Sequence, residues 1–160
     1  MPPPPPQLPA WELTIRQANL GAPPEGADVC SRSTRDGLVA FRAVDYSQAE
    51  GHLRTALERC GATLQVLFPL GLTQLSRGRH SGAMSYLQPT LELAVGTTAD
   101  DIRWYLGIAH HRTVARGEAY RHWDIVCEGV SQFSAVACKT LEALRAHDAR
   151  LRRWLRRKPQ

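Results

Sequence analysis

The sequence predicts an all-α protein built as antiparallel helix hairpins stacked side by side, with a C-terminal capping helix. Three observations lead there. No stretch shows the apolar–polar alternation of a half-buried strand. Glycines and prolines punctuate the 160-residue chain about every 15 to 20 residues, as short helices joined by tight turns require. A glycine, an alanine and a large apolar residue also recur three times in one register: Gly37, Ala49 and Leu53; Gly71, Ala83 and Leu87; Gly107, Ala119 and Trp123. The glycine-to-alanine and glycine-to-large offsets are 12 and 16 residues each time.

Taken in order, residues 1–8 are proline-rich. Pro2 to Pro6 lack N–H donors and have fixed φ, so this start is read as polyproline II or disorder. Such a run is a floppy terminus, or a ligand for an SH3- or WW-type groove. Residues 9–26 are read as a short helix and a linker. Pro9 suits a first turn, Gly21 a C-cap, and Trp11, Ile15 and Ala18 fall at helical spacing over residues 9–20. "APPEG" then breaks the chain. Residues 27–130 form three hairpins from helices 27–43, 46–60, 64–77, 80–95, 99–113 and 117–128. Pro69 and Pro89 fall inside two of these helices, where kinks are expected. Residues 131–160 hold the capping helix (131–156), with Ala135, Cys138, Leu141 and Leu144 on one face and a basic end.

Packing accounts for the repeated register. A glycine on the first helix of a hairpin lets the second approach, a small alanine on the second meets the first, and the large residue one turn later fills space between hairpins. One hairpin cannot bury both faces, so copies must stack. The segments "DGLVAFRAVDYSQAEGHLRTAL", "LGLTQLSRGRHSGAMSYLQPTL" and "LGIAHHRTVARGEAYRHWDIV" together resemble the tetratricopeptide repeat family over about residues 30–129. The first is the nearest, with Asp45-Tyr46 at the turn and Ala56 at the second small position. The second has Thr90 in place of that alanine. The third has a divergent turn, "TVARGE", and a two-residue surplus in "VGTTAD".

Composition sets bounds. Hydrophobic residues are 43% of the chain, enough for a real core. The formal net charge is +5, concentrated at the C-terminus, so the body carries no strong nucleic-acid footprint. The N-terminus has neither the basic start nor the apolar run of a secretory signal, and no stretch approaches a membrane span. A cytoplasmic location is expected. Cys30, Cys60, Cys127 and Cys138 show no CxxC spacing, and free thiols in a reducing compartment are the expectation. Even so, Cys30 and Cys60 fall near facing helix ends, and Cys127 and Cys138 on neighbouring helices.

No catalytic constellation emerges: there is no phosphate-binding glycine loop, no nucleophile elbow, and no base beside a serine or cysteine. A non-enzyme without cofactor is expected. Asp100 and Asp101 are read as opening a helix, where they cap it. His110 and His111 are adjacent and point about 100° apart. With His122 facing outward the three diverge, so no metal site is expected; His110 packs inside the hairpin. The end "RLRRWLRRK" is a solvated helix terminus or a contact for an anionic partner through Arg152, Arg153, Arg156 and Arg157.

The resemblance implies that the first helix of each repeat lines a concave peptide-binding groove. By register that groove holds Thr34, Leu38, Phe41 and Arg42, then Phe68, Leu72, Leu75 and Ser76, then Trp104, Ile108, His111 and Arg112. It is apolar and aromatic. Chaperone-binding members clamp a carboxylate with Lys and Asn at the positions held here by Thr34, Leu38, Phe68 and Leu72, so such a tail is disfavoured. The expected function is an adaptor or scaffold that binds a protein or peptide, alone or inside a larger complex. The alternative is a regulator that contacts nucleic acid or an anionic surface through the basic helix, nucleic acid being the less favoured partner. Occlusion of the groove by the N-terminal helix, homodimerisation and partner binding all stay open.

Overall fold

The computed structural model describes residues 1–113 and 115–157. Among them the chain forms α-helices only: α1 (Trp11–Arg16), α2 (Val29–Arg42), α3 (Tyr46–Cys60), α4 (Leu64–Ser76), α5 (His80–Leu93), α6 (Gly96–Arg112), α7 (Arg116–Glu128) and α8 (Ser134–Arg156). The closest packing is within α2–α3, α4–α5 and α6–α7, three hairpins with short turns. Hairpins stack through α3 on α4 and α5 on α6, and α8 covers α7. The first helices α2, α4 and α6 therefore lie side by side, and α1 packs against α4.

The repeated glycine register has a direct steric meaning. A Cβ built on Gly37 would lie 2.6 Å from Leu53, and one on Gly71 would lie 2.6 Å from Leu87. On Gly107 it would overlap the Trp123 ring, with Cδ1 at 2.6 Å. The large residue 16 positions on thus lies directly on the glycine, closing its own hairpin rather than only filling the space between hairpins. Ala49, Ala83 and Ala119 are fully buried.

Capping and turns follow local chemistry. Asp28 caps α2 by accepting from the Ser31 N–H at 2.9 Å, and Asp45 caps α3 by accepting from Gln48 at 3.0 Å. α2 and α4 end in the same way. Asp45 N donates to Ala40 O and Val44 N to Phe41 O; Arg79 N donates to Gln74 O and Gly78 N to Leu75 O. This paired closure is a Schellman motif, which places one residue in the left-handed region. Gly78 fills that position at φ 72°, but in the first hairpin it falls to Val44 at φ 64°. A β-branched residue is strained there.

Several expectations change. α1 begins at Trp11, after Pro9, and ends at Arg16, so neither Pro9 nor Gly21 bounds it. Pro69 and Pro89 do lie inside α4 and α5, as the sequence places them. α6 starts at Gly96, so the surplus in "VGTTAD" becomes an extra helical turn. Asp100 and Asp101 consequently lie inside the helix and do not cap it. Asp100 pairs with Arg103 at 3.0 Å, while Asp101 is buried and accepts from Gln132 at 3.0 Å. The cysteines are not free thiols. Cys30 is bonded to Cys60 and Cys127 to Cys138, because antiparallel packing brings their Cα atoms to 5.4 Å and 4.8 Å. Loop closure of this size stabilises a fold by about 3 to 4 kcal/mol for each bridge.

Relieving the left-handed valine is expected to stabilise the protein. Val44→Gly should raise the urea midpoint by the equivalent of about 1 kcal/mol. An unchanged or lower midpoint would show that the α2–α3 turn is not strained at this residue.

Candidate functional site: the face of the first helices

The residues expected to line a groove do share one face, formed by α2, α4 and α6. That face is covered. Thr34, Leu38, Phe41, Phe68, Leu72, Leu75, Trp104 and Ile108 are all buried, Trp104 completely. The cover is the chain's own N-terminal segment, residues 8–26. Ser76 and His111 are half-buried, and Arg42 and Arg112 are exposed at the rim.

Helical spacing decides what α1 inserts. Trp11, Thr14 and Ile15 stand at i, i+3 and i+4, and all three are buried, while Leu13 on the opposite side is exposed. Trp11 lies 5.5 Å from the His111 ring and 6.1 Å from Trp123, with the Arg112 guanidinium 5.0 Å over its face. Beneath it Trp104 stacks on Phe133 at 5.6 Å, and the indole N–H of Trp123 donates to Trp104 O at 3.1 Å. Leu20 is the next buried residue of the segment.

Most of the polar contacts go to the main chain of the segment. The Tyr105 hydroxyl donates to Thr14 O at 2.7 Å. Gln132 donates to Gln17 O at 3.4 Å, and Arg42 to Gly21 O at 2.9 Å. Arg35 donates to Pro24 O and Gly26 O, each at 3.2 Å. One contact reads a side chain: Trp104 Nε1 donates to Thr14 Oγ1 at 3.2 Å. Residues 14–26 are short of helical partners for their carbonyls, and the groove supplies donors. Burial pushes the Tyr105 hydroxyl far above its ordinary range, with Asp101 adding to the effect and its bond to Thr14 opposing it, so it stays a neutral donor.

Sequence reasoning placed Trp104, Ile108, His111 and Arg112 on this face, and found Trp11 and Ile15 on a separate amphipathic helix. It missed Tyr105, Arg35, Gln132 and Thr14. The signal for Tyr105 was present, since a buried tyrosine needs a partner for its hydroxyl. Nothing in the register points to Arg35 or Gln132, because their partners are carbonyls about 10 and 115 residues away.

The histidines do not all diverge. His110 and His122 stack at 5.4 Å with rings 20° apart, and both are half-buried, so His122 does not face freely outward. Burial pushes the His122 imidazole down to about 4, helped by His110 and Arg103 and opposed by Glu118. Burial also lowers His110, again against Glu118. Away from this face, Glu50 ties α3 to the α4–α5 turn through Arg77 at 2.6 Å and Arg79 at 3.1 Å, and pairs within α3 with Arg54 at 3.1 Å. Burial raises its pKa, but Gln74 and the three arginines outweigh that and hold it low.

The basic end of α8 is exposed: Arg152, Arg153, Arg156 and Arg157 all face solvent. No helix among the described residues is long and apolar enough to cross a membrane. No protein-family model matches the chain, and no curated protein is significantly similar to it.

Two outcomes follow. Trp11→Ala should cost about 3 to 5 kcal/mol by leaving a cavity beside Trp123 and His111. Trp11→Phe should cost far less, because the indole Nε1 of Trp11 has no hydrogen-bond partner among the described residues. Chemical denaturation of both variants separates the two; equal losses would mean that the indole is not seated as described. The second concerns acid. His122 holds its proton less tightly folded than unfolded, so below its ordinary value of 6.5 the unfolded chain takes the proton first. Stability should hold above about pH 6.5 and fall as the pH drops toward 4. His122→Gln should flatten that decline in urea midpoints measured across the range. An unchanged slope would assign the loss to other groups.

Proposed function

We propose that this protein is a non-catalytic interaction module, an adaptor or scaffold of tetratricopeptide-repeat type. Its groove binds an apolar segment that is helical at one end and extended at the other, and residues 8–26 hold that place in cis. One observation carries the reading. Side chains from α2, α6 and the α7–α8 link donate to five carbonyls along Thr14 to Gly26, while apolar pockets take Trp11, Ile15 and Leu20. Peptide-binding grooves use the same division: main-chain hydrogen bonds give affinity, and pockets for spaced side chains give selectivity.

The glycine–alanine register supports the tetratricopeptide assignment. A partner segment carrying an aromatic residue and a β-branched residue four positions on would fit where α1 sits. For location, the expectation of a cytoplasmic protein came from the N-terminal sequence and the lack of a membrane span, with free thiols expected to match. The two disulfides favour an oxidising compartment instead.

The test pairs a weakened cis segment with the same segment in trans. A labelled peptide of residues 8–26 is titrated into the wild-type chain and into Trp11→Ala/Ile15→Ala, with far-UV circular dichroism verifying the fold. The weakened chain should bind at least about tenfold more tightly, because its own segment no longer competes. Adding Phe68→Ala and Trp104→Ala should abolish the gain. A folded variant that binds no better than wild type would exclude an exchangeable groove. A dimer held by exchanged segments would make a second copy the occupant.

A further inference from the structure

The surplus of positive over negative charge in this protein lies in one place. Residues 150–160 carry six basic residues and no acid; the fourteen basic and fifteen acidic residues before them leave residues 1–149 at a formal net charge of −1. In the body, seven arginines pair with acids: Arg54, Arg77 and Arg79 with Glu50, Arg103 with Asp100, Arg116 with Asp148, Arg121 with Glu118 and Arg145 with Asp124. Arg32, Arg35 and Arg42 donate to main-chain carbonyls instead, and Arg112 lies over the Trp11 ring. Arg150, Arg152, Arg153, Arg156 and Arg157 are exposed and make no ion pair among the described residues. Asp148, the nearest acid in sequence, is already taken by Arg116 at 3.1 Å and by the Tyr120 hydroxyl at 2.6 Å.

The helix geometry gives this charge a shape. α8 buries Ala137, Thr140, Leu141, Leu144 and His147 against the body, and no described residue after His147 is buried. Leu151 and Leu155 continue the same stripe at i+4 and i+8 from His147, and Leu155 is 53% exposed. Arg150 and Arg152 stand about 100° to either side of Leu151. The helix dipole accounts for cations in the last turn only, and Arg150 and Arg152 lie before it.

We propose that the last turns of α8 dock on an anionic phospholipid surface. The arginines take lipid phosphates, for which the guanidinium fork is shaped, and Leu155 enters the headgroup–acyl boundary. A nucleic acid would use the cations alone and leave the exposed leucine in water. The weakly acidic body opposes close approach of the rest of the protein, so the helix end meets the surface first. The groove takes no part in this contact.

Full-length protein is sedimented with phosphatidylcholine vesicles and with vesicles containing about 30% phosphatidylserine. It should partition onto the anionic vesicles only, and salt at about 0.5 M should release it. Arg152→Gln/Arg153→Gln/Arg156→Gln/Arg157→Gln should lower the partition at least about tenfold. Leu155→Ser, with its charge intact, should lower it severalfold. Equal binding to neutral vesicles, no binding to anionic ones, or unchanged binding of the four-arginine variant would overturn the proposal. So would tighter binding to duplex DNA combined with no effect of Leu155→Ser, an outcome that assigns the helix end to a phosphate polymer.

Discussion

The contact of Trp123 with Gly107 is the constraint on which much of the structure depends. Because Gly107 has no Cβ, the indole lies on the α6 backbone and its N–H reaches Trp104 O. That fixes Trp104 in turn, between Trp123 at 5.7 Å and Phe133 at 5.6 Å. Phe133 belongs to the link into α8, so the capping helix is registered by the same cluster. On the other side Trp11 seats against Trp123 and His111. A single missing methyl thus couples the third hairpin, the cap and the N-terminal segment. Interiors of this kind are close-packed and tolerate little added volume.

The N-terminal segment gives the protein its distinctive economy. Three stacked hairpins leave the face of α2, α4 and α6 apolar, and an exposed apolar surface of that extent invites association. Covering it needs only six helical residues and a linker, because the groove completes what the linker lacks. Leucine and aromatic side chains remove Trp11, Ile15 and Leu20 from water, and arginine, glutamine and tyrosine donors satisfy the carbonyls. The polar contacts are made mostly to backbone, so the side chains of the segment matter chiefly at the three apolar positions and at Thr14. The segment has little structure of its own: a six-residue helix is too short to be stable unless it is docked.

The two ends of the molecule are chemically distinct. The Cys30–Cys60 bridge clamps the start of α2 to the end of α3, and Cys127–Cys138 clamps α7 to α8, so hairpin and cap are each closed covalently. The Schellman turns with Val44 and Gly78 lie at the opposite ends of their hairpins. Glu50, gathering three arginines, links two neighbouring hairpins near those turns. Acids and bases are nearly equal in number in the body, and half of its basic residues sit in such local pairs, so the surplus stands out on α8.

Sequence alone determined the helices and their hairpin register. The periodicity of apolar residues and the punctuation by glycine and proline are local, and α3 runs over Tyr46–Cys60 as the pattern predicts. The glycine, alanine and large-residue offsets located the helix contacts because close packing of two helices leaves few alternatives at each crossing. That α2, α4 and α6 share one apolar face was legible for the same reason. Tertiary structure alone decided what covers that face, which cysteines meet, where α6 begins and that His110 stacks on His122. Each of these joins residues far apart in the chain, or weighs a local preference against burial elsewhere. Asp101 shows the difference. Its sequence neighbourhood favours a helix cap, but the extra turn from Gly96 carries it inside the fold, where Gln132 partners it.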